Sequence, residues 1–232
     1  TGDLRVEDLI AEEDMVVTLS HAGYIKRNAI SLYRRQRRGG RGRTGMATKE
    51  EDFVEDLFIA STHSYILIFT DRGRCYWLKV HEVPEAGPAA RGKAIVNLVQ
   101  FQEGEKLAAV VPVKEFDEGK FVMMCTRKAT IKKTALTGFS HVMARGIIAI
   151  NVDDDDALLA ARVTNGSQEI LLATREGMAI RFKESDARPM GRYAAGVRGA
   201  DLQEGDQIIG MEACDPGVSI LTITENGYGK RS

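Results

Sequence analysis

Short apolar runs recur along the chain, each broken by one four-residue signal. Ser20-His21-Ala22-Gly23, Thr70-Asp71-Arg72-Gly73, Thr174-Arg175-Glu176-Gly177 and Thr224-Glu225-Asn226-Gly227 share the pattern Ser/Thr-x-x-Gly, and Thr126-Arg127-Lys128-Ala129 differs only in its last residue. The closing residues stand at 23, 73, 129, 177 and 227, so the spacing stays close to 50. Four residues before each Ser or Thr sits a β-branched residue (Val16, Ile66, Val122, Ile170, Ile220), and a large apolar residue follows it (Val17, Leu67, Met123, Leu171, Leu221). Four residues after each turn come Arg27, Trp77, Lys133, Arg181 and Arg231. Apolar runs that enter and leave a tight glycine turn predict a β-hairpin.

Two further features keep the same period. Arg-Gly pairs occur at Arg41-Gly42, Arg91-Gly92, Arg145-Gly146 and Arg198-Gly199. Acidic stretches lead into Leu57-Phe58-Ile59, Leu107-Ala108-Ala109, Leu158-Leu159-Ala160 and Ile208-Ile209-Gly210. A unit of about 50 residues holding several short strands has the length of a four-stranded propeller blade. Helical periodicity is scarce, and the 23 glycines suit a chain rich in turns. The pattern predicts an all-β, propeller-like domain over residues 1–232, with repeats at roughly 7–56, 57–106, 107–157 and 158–207 and a fifth opening at 208–232. The Trp-Asp blade end of common propellers is missing. A first residue other than Met points to a segment of a longer protein. The stop in mid-unit means either truncation or last strands that complete an earlier blade.

Composition narrows the classes. Hydrophobic residues make up 44% of the chain, enough for a sizeable core. Lys and Arg number 32 against 33 Asp and Glu, a net charge of −1, which excludes a globally basic nucleic-acid binder but not a locally basic one. The longest apolar runs, such as Tyr65–Phe69 and Ala157–Ala161, are far too short to span a bilayer, and the first residues do not form a signal peptide. Cys75, Cys125 and Cys214 lie far apart without a Cys-x-x-Cys pair, and His21, His63, His81 and His141 have no ligand spacing. Buried, unreactive thiols and a reducing, cytoplasmic location follow. The run Asp153–Asp156 has acidic counterparts in the other units, Glu103-Gly104-Glu105 and Glu204-Gly205-Asp206, so it reads as a solvated turn rather than a metal site.

One segment departs from its counterparts. Lys26 to Lys49 holds nine basic residues, Lys26, Arg27, Arg34, Arg35, Arg37, Arg38, Arg41, Arg43 and Lys49, and no acid, which leaves −10 on the rest of the chain. Its centre is Gln36-Arg37-Arg38-Gly39-Gly40-Arg41-Gly42, and one period later the equivalent is Ala86-Gly87-Pro88-Ala89-Ala90-Arg91-Gly92. The box is thus an ordinary inter-strand loop rewritten as a cation. Glycines there permit positive φ and a close backbone approach to phosphate. Arginines add forked donors that match phosphate oxygens. Gly40-x-Gly42-x-x-Gly45 also matches a dinucleotide fingerprint, but it lacks the βαβ setting that fingerprint requires.

Gln36–Gly42 resembles the glycine-arginine box of DNA gyrase A C-terminal domains. The likeness extends through Glu50-Glu51-Asp52-Phe53, Ile95-Val96-Asn97-Leu98, Gly196-Val197-Arg198-Gly199 and Asn226–Arg231, essentially the whole chain. It implies a β-pinwheel of four-stranded blades with strands exchanged between neighbours, usually six blades, of which this chain accounts for four and the start of a fifth. It implies a non-catalytic part of an ATP-hydrolysing topoisomerase that wraps double-stranded DNA so that negative supercoils can be introduced. The implied partners are the remainder of the gyrase A polypeptide, together with gyrase B, in an A2B2 holoenzyme. No cofactor is implied in this chain, with ATP and magnesium expected elsewhere in the holoenzyme, and the nucleophilic tyrosine lies in another domain.

The DNA-binding residues expected on this reading are the box, its neighbours Arg34, Arg35 and Arg43, the loop cations Arg91, Lys93, Arg145 and Arg198, and the cations after the hairpin turns, Lys26, Arg27, Lys132, Lys133, Arg181, Lys230 and Arg231. A curved rim of such charges would bind without a base code. Trp77 is expected to pack between blades, and Tyr33, beside the box, to pack rather than stack on DNA. The alternatives are the pinwheel of topoisomerase IV, whose box is usually degenerate, a propeller that binds an acidic protein, and, more remotely, a propeller enzyme.

Overall fold

The computed structural model describes residues 5–33, 52–141, 143–223 and 229–231, those after 220 by their backbone alone. Strands and single 3-10 turns are the regular elements among them. The first hairpin is β1 (Asp14–Ser20) with β2 (Tyr24–Ala29), and β3 (Val54–Ser61) returns against β1. The second unit is β4 (Tyr65–Thr70), β5 (Arg74–Lys79), a two-residue β6 (Lys93–Ala94) within the loop, and β7 (Leu107–Val113). The third repeats this as β8 (Phe121–Thr126), β9 (Thr130–Ala135), β10 (Ile147–Ile148) and β11 (Leu158–Thr164), and the fourth as β12 (Glu169–Thr174), β13 (Ala179–Lys183), β14 (Val197–Arg198) and β15 (Ile208–Cys214). A fifth hairpin pairs β16 (Leu221–Ile223) with β17 (Gly229–Arg231).

Sheet membership does not follow the units. The sheets run β3-β1-β2-β6, β7-β4-β5-β10, β11-β8-β9-β14 and β15-β12-β13. The short strand in each loop therefore completes the sheet of the preceding unit, which is the exchange that the resemblance implied. The sheets are also phased later than the sequence repeats. Borders drawn before residues 57, 107, 158 and 208 separate each hairpin from the returning strand that hydrogen-bonds to it.

Stacking of the sheets explains why the hairpin strands read as near-continuous apolar runs. Successive residues point to opposite faces of a strand, and in the second and third sheets both faces are covered, whereas β12 and β13 bury one face only. Ile66, Ile68, Tyr76 and Leu78 pack against Met15, Val17, Leu19 and Ile25 of the first sheet. Leu67, Phe69, Cys75 and Trp77 turn the other way, onto Val122, Met124, Phe139 and Ile147. Met123, Cys125 and Ile131 continue the stack onto Ile170, Leu172 and Met211. Trp77 lies between the second and third sheets, as expected. Burial raises the Cys75 thiol and pushes that of Cys125 up to about 12, whereas Cys214 is only partly buried.

The repeated turn has one construction. In each described turn the N–H of the last residue donates to the carbonyl of the first, at 2.9 Å for Gly23, 3.0 Å for Gly73, 3.0 Å for Ala129 and 3.1 Å for Gly177. The Ser or Thr hydroxyl accepts from the N–H four residues on, as from Tyr24 at 3.1 Å and Met178 at 3.0 Å. The last residue takes positive φ, from 69° at Ala129 to 89° at Gly177. Gly73 (φ 83°) carries a second demand, because its carbonyl accepts from Ala149 and Ile150 beside the exchanged strand. A Cβ there would overlap the Ile150 carbonyl oxygen, whereas one on Gly177 meets open space. Gly177→Ala is expected to cost only about 1–2 kcal/mol of left-handed strain. Gly73→Ala should cost upwards of about 3 kcal/mol by adding a backbone clash. Urea titration of the two variants checks the order.

Candidate nucleic-acid interface

The returning strands face the axis of the stack. Residues of β3, β7, β11 and β15, with the turns beside them, line an open funnel of about 740 Å³, in which Glu55, Asp56, Asp71 and Glu212 mix with Lys106, Arg127 and Arg162. The exchanged strands β6, β10 and β14 close the opposite edge of their sheets and form the perimeter. Burial, with Glu55 and Glu212 nearby, raises the Asp56 pKa.

Each exchanged strand is entered through a glycine. Gly92, Gly146 and Gly196 have φ of 85°, 72° and 80° and lie against the second hairpin strand of the preceding unit. A Cβ on Gly196 would stand 2.7 Å from the Ile131 carbonyl oxygen, and one on Gly146 would stand 2.8 Å from the Tyr76 ring. These glycines serve contact between units rather than approach to a phosphate. They also correct the register. Gly196, not Gly199, is the counterpart of Gly92 and Gly146, so Ala195 holds the place of Arg91 and Arg145, and Arg198 lies within β14.

The cations after the hairpin turns are mostly directed inward. Lys26 is buried, and its Nζ donates to the carbonyls of Gly87 at 3.0 Å and Pro88 at 2.8 Å. Lys132, also buried, donates to Ala149 at 2.9 Å and to Arg192. One residue on, Arg27 Nε donates to the Val83 carbonyl at 2.7 Å and Lys133 Nζ to that of Glu184 at 2.9 Å. Trp77, in the same place, donates its indole N–H to the Phe139 carbonyl at 2.8 Å. The position thus calls for a donor to the next unit's backbone, which explains how a tryptophan replaces a cation. Lys26, Arg27, Lys132 and Lys133 are therefore corrected from rim contacts to pins between units. Arg181 bonds Glu169 and the Val218 carbonyl, the latter at 3.2 Å.

The perimeter keeps other cations free. Lys93 and Arg145 are exposed and have no carboxylate partner among the described residues, and Arg188, which the repeat pattern does not single out, shares that state. Arg91 stacks on the Tyr24 ring at 3.5 Å, with its Nε buried and unpaired. Arg198 is exposed but paired with Asp201 at 3.0 Å. Arg34, Arg35, Arg43 and the box Gln36–Gly42 lie outside the described residues, as do the side chains of Lys230 and Arg231. Tyr33 is partly buried, its hydroxyl 3.4 Å from Asn28 Oδ1.

The acidic turns prove more than solvated loops. Asp52 Oδ1 accepts from the N–H groups of Ala22 (2.8 Å) and Phe53 (3.0 Å), Asp156 from Lys128 (3.0 Å) and Ala157 (2.8 Å), and Asp206 from Glu176 (3.1 Å) and Gln207 (2.8 Å). One carboxylate in each of these units thus ties the hairpin turn to the returning strand. Among the described residues no group of three or more His, Cys, Asp or Glu could hold a metal ion, and no helix is long and apolar enough to cross a membrane.

Comparison with known proteins agrees with this geometry. The family described as DNA gyrase C-terminal domain, beta-propeller, matches residues 14–61, 64–114, 120–165, 168–215 and 219–232. The chain is 47% identical to the DNA gyrase A protein of Salmonella typhimurium over 100% of its own length and 26% of that protein. It is 52% identical to the Clostridium acetobutylicum counterpart over 85% of its length and 24% of the relative. It therefore spans about a quarter of the curated relatives it matches. Among solved structures it resembles the C-terminal domain of DNA topoisomerase IV (TM-score 0.76, 29% identity, 96% of this chain and 68% of that one). It also resembles the DNA gyrase A C-terminal domain (TM-score 0.75, 25% identity, 94% and 71%).

Burial, with Arg192 nearby, pushes the Lys132 pKa down to about 8, well below its value of 10.5 in an unfolded chain. Between those limits the unfolded chain binds more protons, so this group makes folding more favourable as pH rises. The stability of the wild type relative to Lys132→Met should therefore climb from pH 8 to 10, as read by denaturant midpoints across that range. A flat difference would contradict the buried-ammonium assignment.

Proposed function

Because the chain belongs to the family of DNA gyrase C-terminal domains, we propose that it binds duplex DNA along its perimeter and bends it, without reading sequence. One observation carries this reading. The free, exposed cations Lys93, Arg145 and Arg188 lie on the exchanged segments of three successive units, on the outer edge. Bending 20–30 base pairs sharply costs on the order of 1–6 kcal/mol by elastic estimates. Phosphate contacts and counterion release offset that cost. The box Gln36–Gly42, in the equivalent loop of the first unit, anchors one end of the wrapped segment. Within a longer polypeptide that forms an A2B2 holoenzyme, the wrap presents a crossing of one hand for strand passage, the step by which negative supercoils arise. ATP and magnesium act outside this segment. The unbroken box favours a gyrase-type over a topoisomerase IV-type role.

Duplex binding measured by fluorescence anisotropy across a salt series tests the assignment. Arg145→Gln should lower the slope of log affinity against log salt by about one, the loss of one phosphate contact. Lys132→Met should leave that slope unchanged, because its ammonium is committed to carbonyls. Replacing Arg37, Arg38 and Arg41 together with Gln should preserve weak retardation of duplex at low salt. The same variant should erase the cleavage pattern of roughly 10 base pairs that curved DNA gives in a footprint. A variant that keeps the pattern would overturn the anchoring role.

A further inference from the structure

Tyr193 is 72% exposed on a loop whose backbone is held from several sides. Its carbonyl accepts from Asn151 Nδ2 at 3.2 Å, the adjacent Arg192 carbonyl accepts from buried Lys132, and Arg192 Nη1 donates to the Ile148 carbonyl at 3.3 Å. A large ring left in water on a fixed backbone is a preorganised contact, since little entropy is lost when something lands on it. The glycine register gives its place. Counting back from Gly92, Gly146 and Gly196, Tyr193 corresponds to Ala89 and to Met143, which is itself 36% exposed. By the sequence period it corresponds to Gly39 of the box. The loop tip thus gains apolar bulk in the later units. Beside it, the Arg192 guanidinium lies 5.3 Å from the ring, and Arg188 is exposed with no carboxylate partner among the described residues.

We propose that Tyr193 is a contact for the wrapped duplex, its ring set against the sugar edge while Arg188 and Arg192 take the flanking phosphates. The inference rests on the DNA-wrapping reading and assigns it a contact that charge alone does not supply. A duplex backbone alternates apolar deoxyribose faces with anions, and this loop alternates a ring with guanidinium groups. Lys93 and Arg145 continue free positive charge onto the neighbouring loops, as an extended polyanion requires. Apolar side chains at a groove are also a recognised means of holding bent DNA.

The full chain and a random-sequence duplex, titrated at several salt concentrations, test the contact. Tyr193→Ala is expected to weaken binding about tenfold at every salt concentration with no change of slope, the mark of a non-ionic contact. Tyr193→Phe should bind like wild type, and Arg188→Gln should lower the slope by about one. Thermal melts of Tyr193→Ala should match wild type, because the ring packs against little. Wild-type affinity in Tyr193→Ala would overturn the contact alone, whereas a wild-type chain that binds no duplex at low salt would overturn the wrapping reading with it. Preferential binding of polyglutamate over duplex, abolished by Tyr193→Ala, would give the ring to an acidic protein partner instead.

Discussion

Each complete sheet in this protein depends on a strand that it does not own. The second hairpin strand of one unit must accept two residues from the loop of the next, and that is possible only where backbone meets backbone closely. Gly92, Gly146 and Gly196 permit the approach, and donors at the far end of the hairpin hold it. The ammonium of Lys26, the guanidinium of Arg27 and the indole of Trp77 all do the same work on carbonyls of the following unit. Among the described residues the perimeter loops of the second, third and fourth units are consequently tied by backbone contacts to the unit before, and their free cations are carried on those ties.

Charged groups thereby differ in how far their hydrogen-bonding capacity is already committed. Near-neutral as a whole, the chain commits one acid per turn tie to backbone N–H groups and a set of cations to buried carbonyls, and leaves other cations outward and unpaired. A basic residue therefore cannot be assigned to DNA by counting. What decides is whether its donors are already satisfied, as in Lys132, or open to water, as in Arg145.

Much of this was legible in the sequence. The Ser/Thr-x-x-Gly turns carry their own local chemistry, so the five hairpins and their spacing were correctly placed. The paired apolar residues ahead of the second and third turns, Ile66-Leu67 and Val122-Met123, point to the two faces that neighbouring sheets cover. The site was harder to read. Lys26 and Lys132 looked like rim charges because their partners are carbonyls about 60 residues away, at Gly87, Pro88 and Arg192, and long-range contacts leave no local signature. Arg198 takes the apparent place of Arg91 and Arg145 in the sequence because an Arg-Gly pair recurs there, its glycine three residues beyond the structural glycine, Gly196. Anchoring the register on Gly42, Gly92, Gly146 and Gly196 instead makes Arg192 and Tyr193 the counterparts of Arg38 and Gly39 in the box, and Arg188 that of the neighbouring Arg34.

The central claim is that these outward cations lie along one curved edge able to curl a double helix with a definite hand. Sealing nicked circular DNA in the presence of increasing amounts of the chain, then removing the protein, reads that hand directly. The account requires a linking-number shift of a single sign that grows with occupancy. Circles that are saturated with protein yet seal to the same topoisomer distribution as naked DNA would contradict it.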